Sequence, residues 1–297
     1  MEKLAQTPLR PTISYWIKAY FLLAKPGIII GNALTAAGGF ALAAKGSFNF
    51  LLFLATLEGL SLIIASACVL NNIIDRKQDC LMKRTQNRPL PSGIITPRSA
   101  FLYALLLGIA GALLLLIFTN LLTLAVALVG FGVYVGVYSV LKYITVHGTL
   151  IGSIAGAVPP VVGYTAVSGH FDGAALILFL MIVCWQMPHF FAIAIYRLED
   201  YAAASIPVYP IKRGMGKTKV QILLYTIGFL LVTALLPLLG YVGKGFLLIM
   251  GLVSIGWLYL ALQGWTAKNN QKWARKVFFY SLFIVMAFCL IVPFTTN

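Results

Sequence analysis

Long apolar runs punctuate this chain, and they limit what it can fold into more than any single motif does. A helix crossing roughly 30 Å of hydrocarbon needs about 20 apolar residues at 1.5 Å each. Nine stretches reach that length: 21–44, 50–70, 99–118, 121–141, 149–168, 174–195, 220–240, 246–265 and 277–293. Together they absorb most of the 297 residues, in keeping with a chain that is 61% hydrophobic and 10% charged. Soluble domains average about 45–50% apolar and 25% charged residues. A soluble two-domain enzyme, a disulfide-stapled secreted domain and a disordered chain are therefore excluded. A β-barrel is excluded too, because the runs are too long and do not alternate in polarity. The expected fold is an all-α polytopic membrane bundle of about nine transmembrane helices.

The charges report orientation. Lys and Arg number 22 against 7 acidic residues, a net charge of +15. Placed on alternate sides of the nine spans, 20 of the 22 fall with the N-terminus, and only Lys45 and Lys244 fall opposite. The positive-inside rule then predicts a cytoplasmic N-terminus and an external C-terminus. This asymmetry accounts for the basicity without nucleic acid. Residues 1–20 carry Lys3, Arg10 and Lys18 but no short apolar core with a small-residue cleavage site, so no cleaved signal is expected. They read as a cytoplasmic N-terminal segment, and residues 21–295 as a single transmembrane domain. The lack of an Arg- and Ser-rich presequence favours a bacterial plasma membrane over a mitochondrial one. Four cysteines show no CxxC or metal spacing.

Most connections are short. The exceptions, 71–98 and 196–219, follow spans two and six on the cytoplasmic side and hold four of the seven acids: Asp75, Asp79, Glu199 and Asp200. This periodicity predicts two parallel four-helix repeats with a ninth helix appended. If span two continues as helix, Asn71, Asp75 and Asp79 fall at i, i+4 and i+8 on one face, and Asn72 can join them. Two carboxylates one turn apart repel mildly, and a hard cation would explain why they are tolerated. Mg²⁺ takes one or two carboxylates plus substrate phosphate oxygens. Arg84 and Arg88 offer planar donors matched to phosphate. Solvated surface charge is the competing reading. The second loop offers Arg197 and Asp200 at i,i+3, which also reads as an exposed ion pair of little energy.

Tyr138, Lys142 and Thr145 share a helical face at i, i+4 and i+7, with a snorkelling interfacial lysine as the alternative. His170 and Asp172 belong to an outside loop. His147 and His189 lie toward the cytoplasmic side, and an ionisable residue within a span is a functional candidate. Pro188 and the pair Pro159-Pro160 should kink spans six and five, opening space where an apolar ligand could lie.

These residues carry a resemblance. The runs Asn71-x₃-Asp75-Arg76-x₂-Asp79-x₂-Met82-x-Arg84-Thr85-x₂-Arg88-Pro89 and Tyr138-x₃-Lys142-x₂-Thr145-x-His147-Gly148-Thr149 are followed by three more blocks. They are Gly156-x₂-Pro159-Pro160-x₂-Gly163-Tyr164, Trp185-Gln186-x-Pro188-His189-Phe190 and Arg197-x₂-Asp200-Tyr201-x₄-Ile206-Pro207. In this order, over roughly residues 20–215, they resemble the UbiA superfamily of intramembrane prenyltransferases, and within it the haem-modifying branch. Asn72 stands where the superfamily's first motif usually has Asp, and Ala204 stands one turn beyond Asp200 where its second motif is Asp-rich. Both departures are similar to the haem-modifying branch.

The resemblance implies transfer of the farnesyl group of farnesyl diphosphate to a vinyl group of haem B, with water adding, to give haem O and diphosphate. It implies loops 71–98 and 196–219 as catalytic, with Asp75, Asp79, Lys142 and Asp200 as the catalytic set. Asp75, Asp79, Asn71 and Asp200 would hold one or two Mg²⁺ ions. Asn72, Arg76, Arg84, Arg88, Tyr138 and Arg197 would meet the diphosphate substrate, and His147 and His189 the haem substrate. A downstream haem-using or haem-modifying membrane protein is an implied partner. Other readings are a prenyltransferase for an aromatic quinone precursor, a non-catalytic haem-handling protein, and a transporter. A transporter's charges should sit near the midplane, whereas these cluster at one face.

Overall fold

The computed structural model describes residues 12–296. Among these, nine helices are long and apolar enough to cross a membrane, and we number them as spans one to nine. They are Pro26–Ala44, Phe50–Asp79, Pro97–Phe118, Leu121–Leu141, Gly148–Ser168, Gly173–Tyr196, Met215–Leu238, Lys244–Trp265 and Asn270–Thr295. The chain is a multi-pass membrane protein, and each expected run finds its helix. Residues 1–11, with Lys3 and Arg10, lie outside the described residues.

The corrections fall at helix ends and have local causes. The first run is not one helix from residue 21. A separate helix, Ile13–Leu23, precedes span one, and Lys25 between them takes a left-handed backbone at φ 57°. Pro26 is the reason, since its ring disfavours the right-handed helical region for the residue before it. The boundary expected at residue 20 thus falls inside a helix. Span two instead runs past its apolar stretch to Asp79, 30 residues in all, so the polar face at 71–79 is helical rather than loop. Span nine starts at Asn270, where the Asn269 side chain caps Lys272 N at 2.9 Å. The loop at 196–219 contains two short helices, Leu198–Ala203 and Tyr209–Arg213.

The prolines act unequally. Span five breaks at Ala157 into Gly148–Gly156 and Val158–Ser168, beside Pro159-Pro160. Span six, by contrast, stays helical through Pro188. Span four carries a π-helical turn at Val133–Tyr138, a feature frequent at functional sites.

With lipid outside, helices associate by close packing rather than by hydrophobic burial. Spans one and five meet backbone to backbone. A Cβ on Gly39 would sit 1.9 Å from the Pro160 carbonyl oxygen, and one on Gly163 1.9 Å from that of Ala36. Spans two and three pack through Gly59 and Gly111, and Ser66 Oγ donates to the Ala104 carbonyl at 2.7 Å. Leu106, Ile117, Leu231 and Leu248 project from the bundle as lipid-facing residues. Between spans one, two, four, five, six and nine lies a cavity of about 660 Å³, within the usual ~300–1,000 Å³ of ligand sites.

Candidate active site

The polar end of the cavity is built on the last turns of span two. Asn71, Asp75 and Asp79 are all buried and all line it, as the i, i+4, i+8 spacing requires. A buried carboxylate is tolerated only if paired and hydrogen-bonded, and each has its partners. Asp75 accepts from Lys142 Nζ at 2.5 Å and from the Tyr143 hydroxyl at 2.7 Å. Asp79 accepts from Arg88 Nη1 at 2.9 Å. Thr85 Oγ1 donates to the Asp79 carbonyl at 2.8 Å and folds the loop carrying Arg88 back over the helix end.

Lys142 does not lie on a helical face with Thr145, because span four ends at Leu141 and a turn follows. Its ammonium lies 5.2 Å from the Tyr138 ring centroid and 5.0 Å from that of Tyr143, a cation–π arrangement. Burial pulls this ammonium below the usual lysine range while Asp75 opposes the change. Burial and the adjacent Asp75 push the Tyr143 phenol upward, so it stays a donor to that carboxylate.

Lys25 is the residue the sequence reading missed. Its Nζ donates to Asn71 Oδ1 at 2.6 Å, and Asn71 Nδ2 donates to Ser139 Oγ at 2.8 Å. Ser139 in turn donates to the Tyr134 carbonyl in the π-helical turn at 2.9 Å. Among the described residues Lys25 has no carboxylate partner. Burial lowers its pKa to about 8, from an ordinary 10.5. A cation in a cavity without its own anion is a seat for an anionic ligand. Its one sequence signal was a lysine directly before a proline at the start of a span, which the charge count absorbed as topology.

Other expected residues divide. Arg84, Arg197 and His189 line the cavity, whereas Asn72, Arg76, His147 and Asp200 do not. Asn72 Nδ2 donates to the Leu23 carbonyl at 2.8 Å and ties the first helix to span two. Arg76 and His147 are exposed. Asp200 lies 3.9 Å from Arg197 as an i,i+3 pair, with Arg197 44% exposed, so this contact stabilises little. Among the described residues no cluster of three or more His, Cys, Asp or Glu gathers, so Asp200 is not brought to Asp75 and Asp79. The donor set that does line the cavity, two carboxylates with the Asn71 amide, consists of hard oxygens suited to Mg²⁺.

The deep end is apolar and aromatic. Trp185, Gln186, His189 and Phe190 of span six face Pro159 of span five and Leu282 and Val285 of span nine. His189 Nδ1 lies 2.7 Å from Ser281 Oγ, and its ring stacks on Trp185 at 5.0 Å. Gln186 packs flush on Gly156, where a Cβ would come within 2.4 Å of its amide nitrogen. Its Oε1 is buried without a partner among the described residues. The arrangement can hold an anionic head among cations at one end and a large apolar body at the other.

Comparison with known proteins agrees with this architecture. Residues 32–283 match the UbiA prenyltransferase family. The chain is 52% identical over 278 residues to a protoheme IX farnesyltransferase of Protochlamydia amoebophila, covering 94% of this chain and 98% of that one. It is 52% identical over 289 residues to the protein of the same name from Sodalis glossinidius, covering 95% and 97%. A solved structure described as digeranylgeranylglyceryl phosphate synthase superposes with a TM-score of 0.77 at 21% identity, covering 93% of this chain and 98% of the other. A UbiA homologue from Archaeoglobus fulgidus bound to GPP and Mg²⁺ superposes with a TM-score of 0.68 at 16% identity, covering 93% and 99%. Matched over most of its length by the family and nearly end to end by those relatives, the chain belongs to the UbiA prenyltransferase family.

Proposed function

We propose that this chain transfers the farnesyl group of farnesyl diphosphate to a vinyl group of haem B, giving haem O and diphosphate. One observation carries the reading: a single cavity joins the Asp75–Asp79 pair and Lys25, Lys142 and Arg88 to an aromatic pocket holding His189. The names of relatives at about half identity support the same substrates. An Mg²⁺-bound UbiA homologue supports the metal.

Breaking the allylic C1–O bond leaves its electron pair on diphosphate, so charge grows on the departing oxygens. Lys25, Lys142, Arg84, Arg88 and Arg197 supply fixed positive charge where it develops, and such stabilisation is commonly the largest catalytic term. Mg²⁺, when bound, neutralises part of the diphosphate charge, with Asp75, Asp79 and Asn71 as its holders. Asp200, outside the cavity and 3.9 Å from Arg197, would act only by orienting that guanidinium. Lys142, paired with Asp75 at the rim of the same cavity, would offer its ammonium to the diphosphate oxygens. The terminal vinyl carbon of haem then bonds to C1. The cation so formed at the inner vinyl carbon takes up water, which releases a proton. The apolar walls and the Tyr138 ring keep other water from the farnesyl cation.

The proposed domain, expected from residue 21 to 295, takes in the whole helix Ile13–Leu23 as well, and the end of span two with residues 80–98 and 196–219 forms the cytoplasmic rim of the site. The lysine and arginine asymmetry supports a cytoplasmic N-terminus and an external C-terminus, and the membrane proposed is a bacterial plasma membrane. Incubating membranes that contain the protein with haem B, farnesyl diphosphate and Mg²⁺, followed by mass analysis of extracted haem, tests the reaction. Haem heavier by one farnesyl group and one hydroxyl group is expected. Unchanged haem, with farnesyl found on 4-hydroxybenzoate, would replace the acceptor assigned here.

A further inference from the structure

His189 sits in the aromatic part of the cavity, and the hydrogen bonds around it determine which of its nitrogens is free. Ser281, on span nine and outside every block of the family resemblance, holds the ring from behind. Its hydroxyl has one proton and donates it to the Phe278 carbonyl at 2.5 Å. What the same oxygen offers His189 Nδ1, 2.7 Å away, is therefore a lone pair. The hydrogen in that bond belongs to Nδ1. Trp185 fixes the geometry further: its indole N–H donates to the Ser281 carbonyl at 2.8 Å, and its ring stacks on the imidazole with 26° between planes. Phe190 and Phe278 complete the surround, and among the described residues no carboxylate pairs with the ring to support an imidazolium. With Nδ1 protonated and the ring neutral, Nε2 carries an unshared pair, and it has no protein partner among the described residues.

We propose that His189 is the axial ligand of the haem substrate's iron through Nε2, and that Ser281 is the positioning residue that sets this tautomer. The inference rests on the haem reading above and deepens it. The depth suits it. Lys142 lies against Gly148 and Gln186 against Gly156, levels about 12 Å apart on an eight-residue helical segment. His189 is one turn above Gln186, about 7–8 Å below the Lys142 level. Iron held there would set the porphyrin among the apolar walls, within reach of the diphosphate end of the same cavity. A histidine donating its other N–H to a protein oxygen is the usual arrangement for a metal-ligating imidazole.

The test uses the full-length protein in detergent or nanodiscs, titrated with haem B in the absence of farnesyl diphosphate. Wild type should give a histidine-ligated absorption spectrum and, when ferrous, an iron–histidine stretch in resonance Raman. His189→Gly should lose both, and added imidazole should restore them, which separates lost ligation from a misfolded protein. Ser281→Ala should weaken haem binding by about 10–100-fold and lower the stretch frequency, while Ser281→Thr keeps both near wild type. A wild-type spectrum in His189→Gly would overturn the ligation. An unchanged stretch and affinity in Ser281→Ala would overturn the positioning role. The reaction assay separates this inference from its premise. Haem O made by wild type alongside a wild-type spectrum in His189→Gly refutes only the ligand assignment. Histidine-ligated haem that is never farnesylated refutes only the reaction.

Discussion

Asp75 and Lys142 form a pair whose two contributions can be separated. Their side chains are 10% and 13% exposed, so removing one partner strands the other in a poorly solvated place. Asp75→Asn should destabilise the protein by about 3–5 kcal/mol and lower turnover by about 10²–10³-fold. The double variant Asp75→Asn/Lys142→Met should recover much of the thermal stability in detergent while remaining inactive. Activity that returned with stability would make the pair purely structural. Lys25 gives a pH prediction whose sign follows from its pKa of about 8. The ammonium is charged below that value and neutral above it, so KM for farnesyl diphosphate should rise as pH passes upward through about 8. Lys25→Arg should hold KM flat to higher pH, and Lys25→Met should have a high KM at every pH. For stability the direction is opposite. The unfolded lysine titrates near 10.5, so burial of the charge opposes folding below pH 8 and that penalty fades toward pH 10.5.

At the scale of elements, the helix pair formed by spans one and five decides whether the cavity exists. Gly39 and Gly163 let the two backbones touch, and the break at Ala157 lies beside that contact. Gly39→Ala must push a methyl into the Pro160 carbonyl. We expect a loss of about 1–3 kcal/mol or more, read as a lower unfolding temperature in detergent. Gly251→Ala, where a Cβ meets nothing within 4 Å, should be neutral or slightly stabilising through helix propensity. Equal losses in the two variants would remove the close crossing as the cause. Span boundaries show where sequence pattern sufficed and where it failed. Hydropathy located every span, but it stopped span two at residue 70, because helical periodicity continues there in polar residues that hydropathy does not register. It likewise ran the first span through Lys25, where the backbone restriction before Pro26 outweighs apolarity.

For the whole molecule, orientation is the property that charge distribution sets, and one cysteine reports it. Cys80 is exposed at the end of span two, whereas Cys68 and Cys289 are buried and Cys184 is half-buried. A membrane-impermeant maleimide should label Cys80 in inside-out vesicles and leave it unlabelled in right-side-out ones. The reverse pattern would invert the topology and put the diphosphate end of the cavity outside the cell.

The amino-acid sequence alone determined the number of spans, their order and the charge asymmetry, because the bilayer imposes length and polarity on each segment separately. It also supplied the Asn71, Asp75, Asp79 face, since these residues share one continuous helix and helical spacing is a local rule. Tertiary structure decided the partners. Lys142 reaches Asp75 across 67 positions, Lys25 reaches Asn71 across 46 and Ser281 reaches His189 across 92. It also left Asp200 and His147 outside the cavity that their motifs suggested they would enter. No local pattern encodes such contacts, because they depend on how spans one, two, four, six and nine close around a shared space. That closure is set by glycine-mediated backbone approach and by a break in span five, where small differences in packing move whole helices.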